Sequence, residues 1–367
     1  MEGGAQMATI KDVAKRAGVS PSTASRAMHD SPLISEETKD KVRQAMKELD
    51  YSPNFAAQNL ANQTSNTIGV ILPAREEAVG DNPFFIQIIQ GLASICNAHD
   101  QLVSVASGQT TEELIKNIET MIKRGNITRF VFVYSQANDP VLEFIKQHSK
   151  IHYVVIGSPY TDKETTCYVD NDNFKAGYDA TKFLLDKGIA QVVYAHTNLA
   201  EKVQNARYKG YLTALAEVGL AESPLCLSTV PAAEMQNAQA FSKIMAKSSG
   251  KVGVVACDDI LALEIQHLCD ICEVERSELA LLGFNNSLLA KTARPALTSV
   301  EIFPRFLGSE AAALAINTKE NDNLKLETDH VVVPHKIVER ASTKSKNLRK
   351  RDFFCLQMQP IAFIINM

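Results

Sequence analysis

From Thr67 to Arg340 the chain alternates short apolar runs with longer amphipathic segments. The apolar runs are rich in valine, isoleucine and leucine, which is typical of strands buried on both faces. They predict strands at residues 68–72, 102–105, 129–134, 153–156, 191–194, 252–255 and 279–282. Helical segments lie between them, as at 85–98, 112–124 and 140–147. Because alternating strands and helices form covered parallel sheets, and because the pattern restarts at Gln191, we predict two doubly wound α/β lobes with a cleft between them.

The first fifty residues have helical spacing of apolar positions instead. One helical face carries Ile10, Val13, Ala14 and Ala17. Thr9 and Asp12 can cap the start of this helix reciprocally. Gly18 supplies a tight turn, and Ser20 followed by Pro21 favours the start of a second helix. Two short helices at this spacing predict a helix-turn-helix.

The predicted second helix, residues 21–29, exposes small and polar side chains. Ala24 and Ala27 can pack inward, whereas the outer face carries Pro21, Ser22, Ser25, Arg26 and His29. Small residues at a helix N-terminus allow close approach to base edges, and Arg26 can make a bidentate contact to guanine. The outer-face residues, with Thr9 and Thr23, are the candidate DNA contacts of the head. These helices alone fit an ordinary amphipathic hairpin with a solvated arginine equally well.

A third helix is predicted after Ser35, with acidic residues in its first turn and an apolar stripe that completes a three-helix core. Residues 54–62 follow as a short segment of helical propensity with no evident packing partner, which is marginal as an isolated helix. A helix that forms only on DNA, paired with its twin from another subunit, would account for this segment.

Composition limits the class of protein. A chain of 367 residues is longer than a single hydrophobic core usually supports, so two or three domains are expected. The net charge is −4, but DNA binding needs only a local basic face, and residues 11–26 carry four basic side chains against one acidic side chain. We find no apolar run that could span a bilayer and no signal-peptide pattern in the first twenty residues, so a cytoplasmic protein without a membrane partner is expected.

Metal and catalytic patterns are missing from the sequence. The seven cysteines are scattered, and the one CxxC, at Cys269 and Cys272, has no second cysteine or histidine pair to complete a metal site. We find no GxGxxG, GxxxxGK[ST], GxSxG or HExxH pattern and no convincing pair of nucleophile and base. We therefore expect no metal, no cofactor and no enzymatic activity.

Polar clusters follow the predicted strands of the body. They occur at 81–85, 158–160, 170–172, 207–211, 257–259 and 283–286. Ligands of parallel α/β sheets bind beyond the carboxyl ends of the strands, where these clusters fall. Planar polar side chains suit the hydroxyls of a polyol, and aromatic faces suit its C–H surface. Each of these residues could equally be a helix cap or a core residue, so the pattern alone leaves the ligand open.

The segment TIKDVAKRAGVSPSTASR, residues 9–26, with YSPN at 51–54 and QNLA at 58–61, closely resembles the lactose/galactose repressor family of bacterial transcriptional regulators. The resemblance covers about Thr9 to Arg340. It implies a homodimer whose paired first lobes set the spacing of the two heads on double-stranded operator DNA.

The same resemblance assigns DNA-contact roles. It implies that Pro21, Ser22 and Arg26 lie in the major groove. It also implies that Leu60, in a segment with the candidate contacts Asn54 and Ala57, wedges into the minor groove of a palindromic operator. The alternative is that Leu60 is a linker residue that packs on its own body.

In the body the resemblance extends to NPFF at 82–85, RYKGY at 207–211, ACDD at 256–259 and GFNNS at 283–287. It implies effector contacts from Arg207, Asp258 and Asn285, followed by Asp170 and Phe85. Phe84 and Tyr160 are further candidates as apolar faces for the ligand. Asn285 stands where an aspartate is more usual. The GFNNS segment is similar to maltose-type repressors, which favours maltose or a malto-oligosaccharide as the effector.

These observations predict four regions: a head at 8–53, a hinge helix and linker at 54–66, a periplasmic-binding-protein-like body at 67–340, and an atypical tail at 341–367. Within the body, the predicted first lobe spans about 67–162 and 294–324, and the second about 163–293 and 325–340. The predicted function is a repressor of a sugar-utilisation operon that is released by its sugar. The alternatives are a global carbon regulator that depends on a phosphoprotein co-regulator, and a free sugar-binding receptor.

Overall fold

The computed structural model describes residues 8–28, 30–51, 65–74, 83–248, 250–317 and 330–344. Within these residues the chain forms two units, which divide between Asn66 and Thr67. The predicted DNA contacts His29, Asn54, Ala57 and Leu60 lie outside the described residues, as do most of the predicted hinge and the chain beyond residue 344.

The head contains three helices, α1 (Ile10–Ala17), α2 (Pro21–Met28) and α3 (Glu36–Glu48). The backbone N–H and hydroxyl of Thr9 both donate to Asp12 Oδ2, at 2.9 and 2.6 Å, which anchors the start of α1. Gly18 ends α1 with a φ of 68°, a left-handed conformation that costs glycine little. Ser20 Oγ accepts the N–H of Thr23 at 3.1 Å and so caps α2.

The core of the head consists of small apolar side chains from all three helices. The fully buried members are Val13, Ala14, Ala24, Ala27, Val42 and Ala45. Arg16 of α1 pairs with Glu48 of α3 at 2.5 Å on the surface above this core. The predicted helix-turn-helix and its three-helix core are confirmed.

The body contains two six-stranded sheets. The strands of the first sheet are β1 (Thr67–Ile71), β2 (Leu102–Ala106), β3 (Arg129–Phe132), β4 (His152–Ile156), β5 (Cys167–Asn171) and β11 (His330–Val333). Their order is β11-β5-β4-β3-β1-β2, and all the paired strands are parallel. This sheet and its helices form the first lobe.

The second sheet forms the second lobe. Its strands are β6 (Gln191–His196), β7 (Pro224–Cys226), β8 (Val252–Ala256), β9 (Leu279–Phe284), β10 (Thr298–Glu301) and β12 (Lys336–Val338). Their order is β12-β10-β9-β8-β6-β7, and β12 is antiparallel to β10 while the other pairs are parallel. The predicted doubly wound α/β architecture is confirmed.

Helices cover both lobes. Those of the first lobe are α4 (Pro83–Ala98), α5 (Thr111–Gly125), α6 (Pro140–Lys146) and α12 (Pro304–Asn317). Those of the second lobe are α7 (Asn173–Leu185), α8 (Lys202–Glu217), α9 (Glu234–Ala246), α10 (Asp259–Ile271) and α11 (Leu288–Thr292). The first lobe has two apolar clusters, with α4 and α12 in one and α5 and α6 in the other, whereas a single cluster joins the helices and sheet of the second lobe. No helix among the described residues is both long and apolar enough to cross a membrane.

The predicted division into lobes is wrong at three strands. Strand β5 was expected in the second lobe but pairs with β4 of the first, and β11 likewise pairs with β5. Strand β10 was expected in the first lobe but pairs with β9 of the second. None of these three strands is among those predicted from the apolar runs, so the lobe boundaries were placed without knowledge of their pairing. The chain therefore passes between the lobes after β5, after β10 and after β11.

One buried side chain connects these three crossings. Asn171, at the end of β5, donates through Nδ2 to the carbonyl oxygens of Ile302 at 3.1 Å and Val333 at 3.0 Å. Ile302 follows β10, and Val333 ends β11. Asn171 therefore fixes the relative positions of the three segments on which any movement of the lobes must depend.

The predicted start of the tail at residue 341 is also wrong. Ser342 and Thr343 are buried against the second sheet. The Ser342 hydroxyl donates to Leu281 O at 2.5 Å and accepts the N–H of Thr298 at 2.8 Å. The second lobe therefore continues to Thr343, because these short polar side chains satisfy backbone groups of the sheet.

Candidate ligand cavity and helix-turn-helix surface

A cavity of about 490 Å³ lies between the two lobes at the carboxyl ends of their strands. Its volume falls in the range of roughly 300–1,000 Å³ that is typical of small-molecule sites. The residues predicted to contact an effector all line it, namely Phe84, Phe85, Tyr160, Asp170, Arg207, Asp258 and Asn285. The fold thus brings together side chains that are spread over two hundred positions of the sequence.

Arg207 is the central charged group of this cavity. It lies on α8 and is only 4% exposed. Its Nε donates to Asn173 Oδ1 at 3.0 Å, and one terminal nitrogen donates to the carbonyl oxygen of Cys257 at 2.6 Å. The guanidinium carbon lies 4.0 Å from the centre of the Phe284 ring, so a cation–π contact stabilises the charged group. Burial lowers the pKa of Arg207, but nearby acidic groups oppose that shift.

Asp170 faces Arg207 from the first lobe. Asp170 Oδ1 accepts the N–H of Asn171 at 2.8 Å and the side-chain amide of Asn173 at 3.0 Å. Burial raises the pKa of Asp170 to about 6, with the positive charge of Arg207 acting in the opposite direction. Asn173 therefore links a carboxylate of one lobe to a guanidinium of the other.

Asp258 supplies a second carboxyl group from the second lobe. It is the N-cap of α10, where its Oδ1 accepts the N–H of Leu261 at 2.7 Å. Burial raises the pKa of Asp258, whereas the hydrogen bond and Arg207 lower it. The cavity thus presents two carboxyl groups and one guanidinium, a set of donors and acceptors that matches vicinal hydroxyls.

Asn285 follows β9 with a φ of 90°, a conformation that non-glycine residues adopt rarely. Its backbone N–H donates to Val300 O at 2.9 Å, which fixes this turn against β10. Its side chain makes no hydrogen bond to any described residue and lines the cavity. An amide held in this way can both donate to and accept from a ligand.

Aromatic side chains form the apolar part of the wall. Phe84 and Phe85, in the first turn of α4, contact each other edge to face with ring centres 5.4 Å apart. Tyr160 reaches from the first lobe to the second, where its hydroxyl accepts the N–H of Lys202 at 2.8 Å and donates to Ala200 O at 3.3 Å. Lys202 Nζ lies 4.7 Å from the centre of the Tyr160 ring.

Several cavity residues were not anticipated from the sequence. Asn173 is the most important because it bonds both Asp170 and Arg207. The others include Ser135, Gln136, Asn198, Glu201, Lys202 and Gln204. Asn173 stands next to the predicted cluster at 170–172, so its position was the available signal. The segment at 198–204, a loop that continues into the first turn of α8, carries no pattern that distinguishes it from an ordinary surface turn.

On the head, five of the described candidate contacts lie on α2, and the sixth, Thr9, precedes α1. Pro21, Ser22 and Arg26 are exposed, and Thr23 and Ser25 are half-buried. The side chain of Arg26 makes no hydrogen bond or ion pair with any described residue, so its guanidinium is available to an external acceptor. Thr9 is exposed, but its hydroxyl is engaged by Asp12. No group of three or more metal-binding side chains occurs among the described residues.

A helix-turn-helix head followed by a two-lobed body with a polar cavity defines a DNA-binding transcriptional regulator with a small-molecule domain. Residues 9–54 match the family described as bacterial regulatory proteins, lacI family. Residues 181–343 match a periplasmic binding protein-like domain.

Individual proteins agree with this class. The chain is 32% identical to the HTH-type transcriptional regulator MalR of Staphylococcus xylosus over 92% of this chain and 98% of that protein. The crystal structure of a probable maltose operon transcriptional repressor malR from Staphylococcus has a TM-score of 0.70 at 24% identity, covering 77% of this chain and 99% of that one. A CelR–cellobiose complex has a TM-score of 0.66 at 22% identity, covering 91% and 99%. The chain belongs to the lacI family of bacterial regulatory proteins, and it is a transcriptional regulator rather than an enzyme.

Proposed function

We propose that this regulator represses a sugar-utilisation operon in the cytoplasm and releases its operator when a sugar binds between the lobes. Maltose or a malto-oligosaccharide is the favoured effector. The observation that carries the proposal is the cavity wall, in which Arg207, Asp170 and Asp258 lie within one polar site bordered by aromatic rings. Sugar hydroxyls need such paired donors and acceptors, and the sugar C–H face packs on aromatic rings. The 32% identity to a MalR regulator supports maltose over other sugars.

The DNA side of the proposal rests on α2 and on pairing of two chains. Arg26, with Pro21 and Ser22, would read the major groove, while Leu60 would enter the minor groove of a palindromic site. The first lobe carries exposed apolar side chains on α4 and on the edge strand β2, including Ile86, Leu102 and Val105. Exposed apolar side chains of this kind suit a homodimer interface, which would place two heads on two half-sites.

The test is thermal unfolding of the full chain with maltose, maltotriose, sucrose, trehalose, galactosides, ribose and purines. A ligand at about 100 times its Kd stabilises a protein by roughly 2.7 kcal/mol. Asn285→Ala should remove the response without loss of fold, because the Asn285 side chain bonds no described residue. Asn97→Ala, at an exposed position of α4 outside the cavity, is the matched control.

The release of DNA by the sugar-bound protein is then measured by fluorescence anisotropy, with a labelled operator that has been selected from a random DNA library. The proposal requires the sugar that stabilises the protein to weaken operator binding on its own. Stabilisation by purines alone would contradict the sugar assignment. Operator binding that responds only when a phosphoprotein is added would favour a co-regulator instead.

A further inference from the structure

A second cavity, of about 600 Å³, lies in the first lobe next to the cavity between the lobes. Its wall is formed by the end of β3, by α6 and by the loop after β4. Tyr134, Ser135, Gln136 and Tyr160 line both cavities. The two spaces are therefore neighbours that share one wall of side chains.

The chemistry of the second cavity suits a neutral polyol. Its apolar surface includes the rings of Phe132, Tyr134, Phe144 and Tyr160. Its polar surface includes the side-chain amides of Gln136, Asn138 and Gln147, which form no hydrogen bond to any described residue. Aromatic faces combined with free amides are the groups that bind the C–H surface and the hydroxyls of a sugar.

Charged ligands are disfavoured there. No described residue that lines the second cavity is a lysine or an arginine, and the lysines beside its wall are already engaged. Lys146 pairs with Glu143 and Asp162, and Lys202 donates to the carbonyl oxygen of Pro159. Of the two acidic residues in its wall, Asp139 is held as a helix cap by the N–H of Val141 at 2.9 Å. The other, Glu143, pairs with Lys146 at 3.0 Å.

Tyr160 stands at the junction of the two cavities. Its hydroxyl is bonded to the backbone of Lys202 and Ala200 in the second lobe, so its ring is held where the lobes meet. Because Tyr160 belongs to the wall that the two cavities share, a ligand with parts in both cavities would contact its side chain. The length of the ligand would therefore affect a contact between the two lobes.

We propose that the second cavity is a subsite for the further sugar units of an oligosaccharide whose first units lie between the lobes. The proposal rests on the proposed function and narrows its effector class to malto-oligosaccharides of three or more units. The cavity between the lobes is near the lower end of the usual size range, so additional units need the neighbouring space.

The experiment is isothermal titration of the full chain with maltose, maltotriose and maltotetraose. We expect the two longer sugars to bind at least ten times more tightly than maltose. Gln147→Trp, at an exposed wall position, should fill the subsite and reduce the affinity for maltotetraose to that for maltose, with maltose itself unchanged. Ser149→Trp, the same change at an exposed position outside the cavity, should leave all three affinities unchanged.

Thr161→Trp fills the same space from another part of the wall and gives a second variant if the first unfolds. Equal affinities for the three sugars in the wild-type protein would overturn the subsite while leaving maltose as an effector. Unchanged maltotetraose affinity in a folded tryptophan variant would do the same. If none of the sugars binds, both the subsite and the proposed function are wrong.

Discussion

Gly177 is a position at which a single added methyl group should disturb the ligand cavity. It lies in α7, which packs directly on α8, and a Cβ added at Gly177 would lie 2.1 Å from the carbonyl oxygen of Arg207. Carbon and oxygen atoms that are not bonded pack no closer than about 3 Å, so the helices would have to separate by about 1 Å. The position of the added Cβ is fixed by the backbone of Gly177, and the contacted oxygen belongs to the backbone of Arg207, so no change of rotamer can relieve the clash.

The expected magnitude follows from two opposing effects. Alanine is favoured over glycine in a helix interior by about 1 kcal/mol. Overpacking of a tight interface costs about 1–3 kcal/mol, and a backbone clash should reach the upper part of that range. We therefore expect Gly177→Ala to lower the free energy of unfolding by about 1–2 kcal/mol, which corresponds to a Tm lower by roughly 2–4 °C for a domain of this size.

Ligand binding should weaken as well, because the displaced segment carries Arg207. A shift of about 1 Å would lengthen the bonds from Arg207 to Asn173 Oδ1 and Cys257 O, now 3.0 and 2.6 Å. Loss of one charge-assisted bond is worth about 1.5–3 kcal/mol, or at least a tenfold rise in Kd for the sugar.

The assay combines thermal unfolding with titration of the effector sugar. Gly250→Ala is the control, because a Cβ at Gly250 would meet no atom within 4 Å, and its Tm and Kd should match those of the wild-type protein. A Gly177→Ala protein with unchanged Tm and unchanged sugar affinity would refute the close packing of α7 on α8 described above.

Three further changes test other parts of the structure. Arg26→Ala should weaken operator binding by about 1–3 kcal/mol in an anisotropy assay while leaving the thermal response to sugar intact, and equal DNA affinity would contradict its contact role. Burial raises the pKa of Asp170 to about 6, so its ionisation destabilises the fold as pH rises from about 4 to 6. The free energy of unfolding of Asp170→Asn, measured in urea, should therefore rise relative to that of the wild-type protein between about pH 4 and 6. A difference between the two proteins that does not change with pH would exclude this effect. Asn171→Ala removes the hydrogen bonds to Ile302 and Val333 and should lower the free energy of unfolding by about 1–3 kcal/mol in the same urea experiment. A decrease below about 0.5 kcal/mol would show that Asn171 is not needed to hold the three crossings together.

Local signals predicted much of this structure. The cap at Thr9 and Asp12, the turn at Gly18 and the cap at Ser20 act over three or four residues, so the helices of the head could be located from sequence alone. The cavity residues could also be anticipated, because parallel strands place their following loops at one edge of the sheet.

Strand partners and shared side chains could not be predicted in this way. The hydrogen bonds of Asn171 reach residues that lie 131 and 162 positions away along the sequence. No pattern within a short sequence window indicates such contacts. The same holds for Gly177, whose importance depends on how closely α8 approaches it. The bonds of Asn171 depend on the three crossings of the chain, and the predicted lobe boundaries were wrong at those crossings.

The first crossing brings ligand recognition and lobe geometry into four consecutive residues. Asp170 lines the cavity, Asn171 bonds the other two crossings, and Asn173 bonds Arg207 of the second lobe. An effector changes an equilibrium only to the extent that it binds one arrangement better than the other. A sugar that binds Asp170 and Arg207 together contacts this segment directly at Asp170 and, through Arg207, at Asn173. Its binding energy therefore bears directly on the angle between the lobes, and a ligand that reaches only one of the two residues should bind without changing operator affinity.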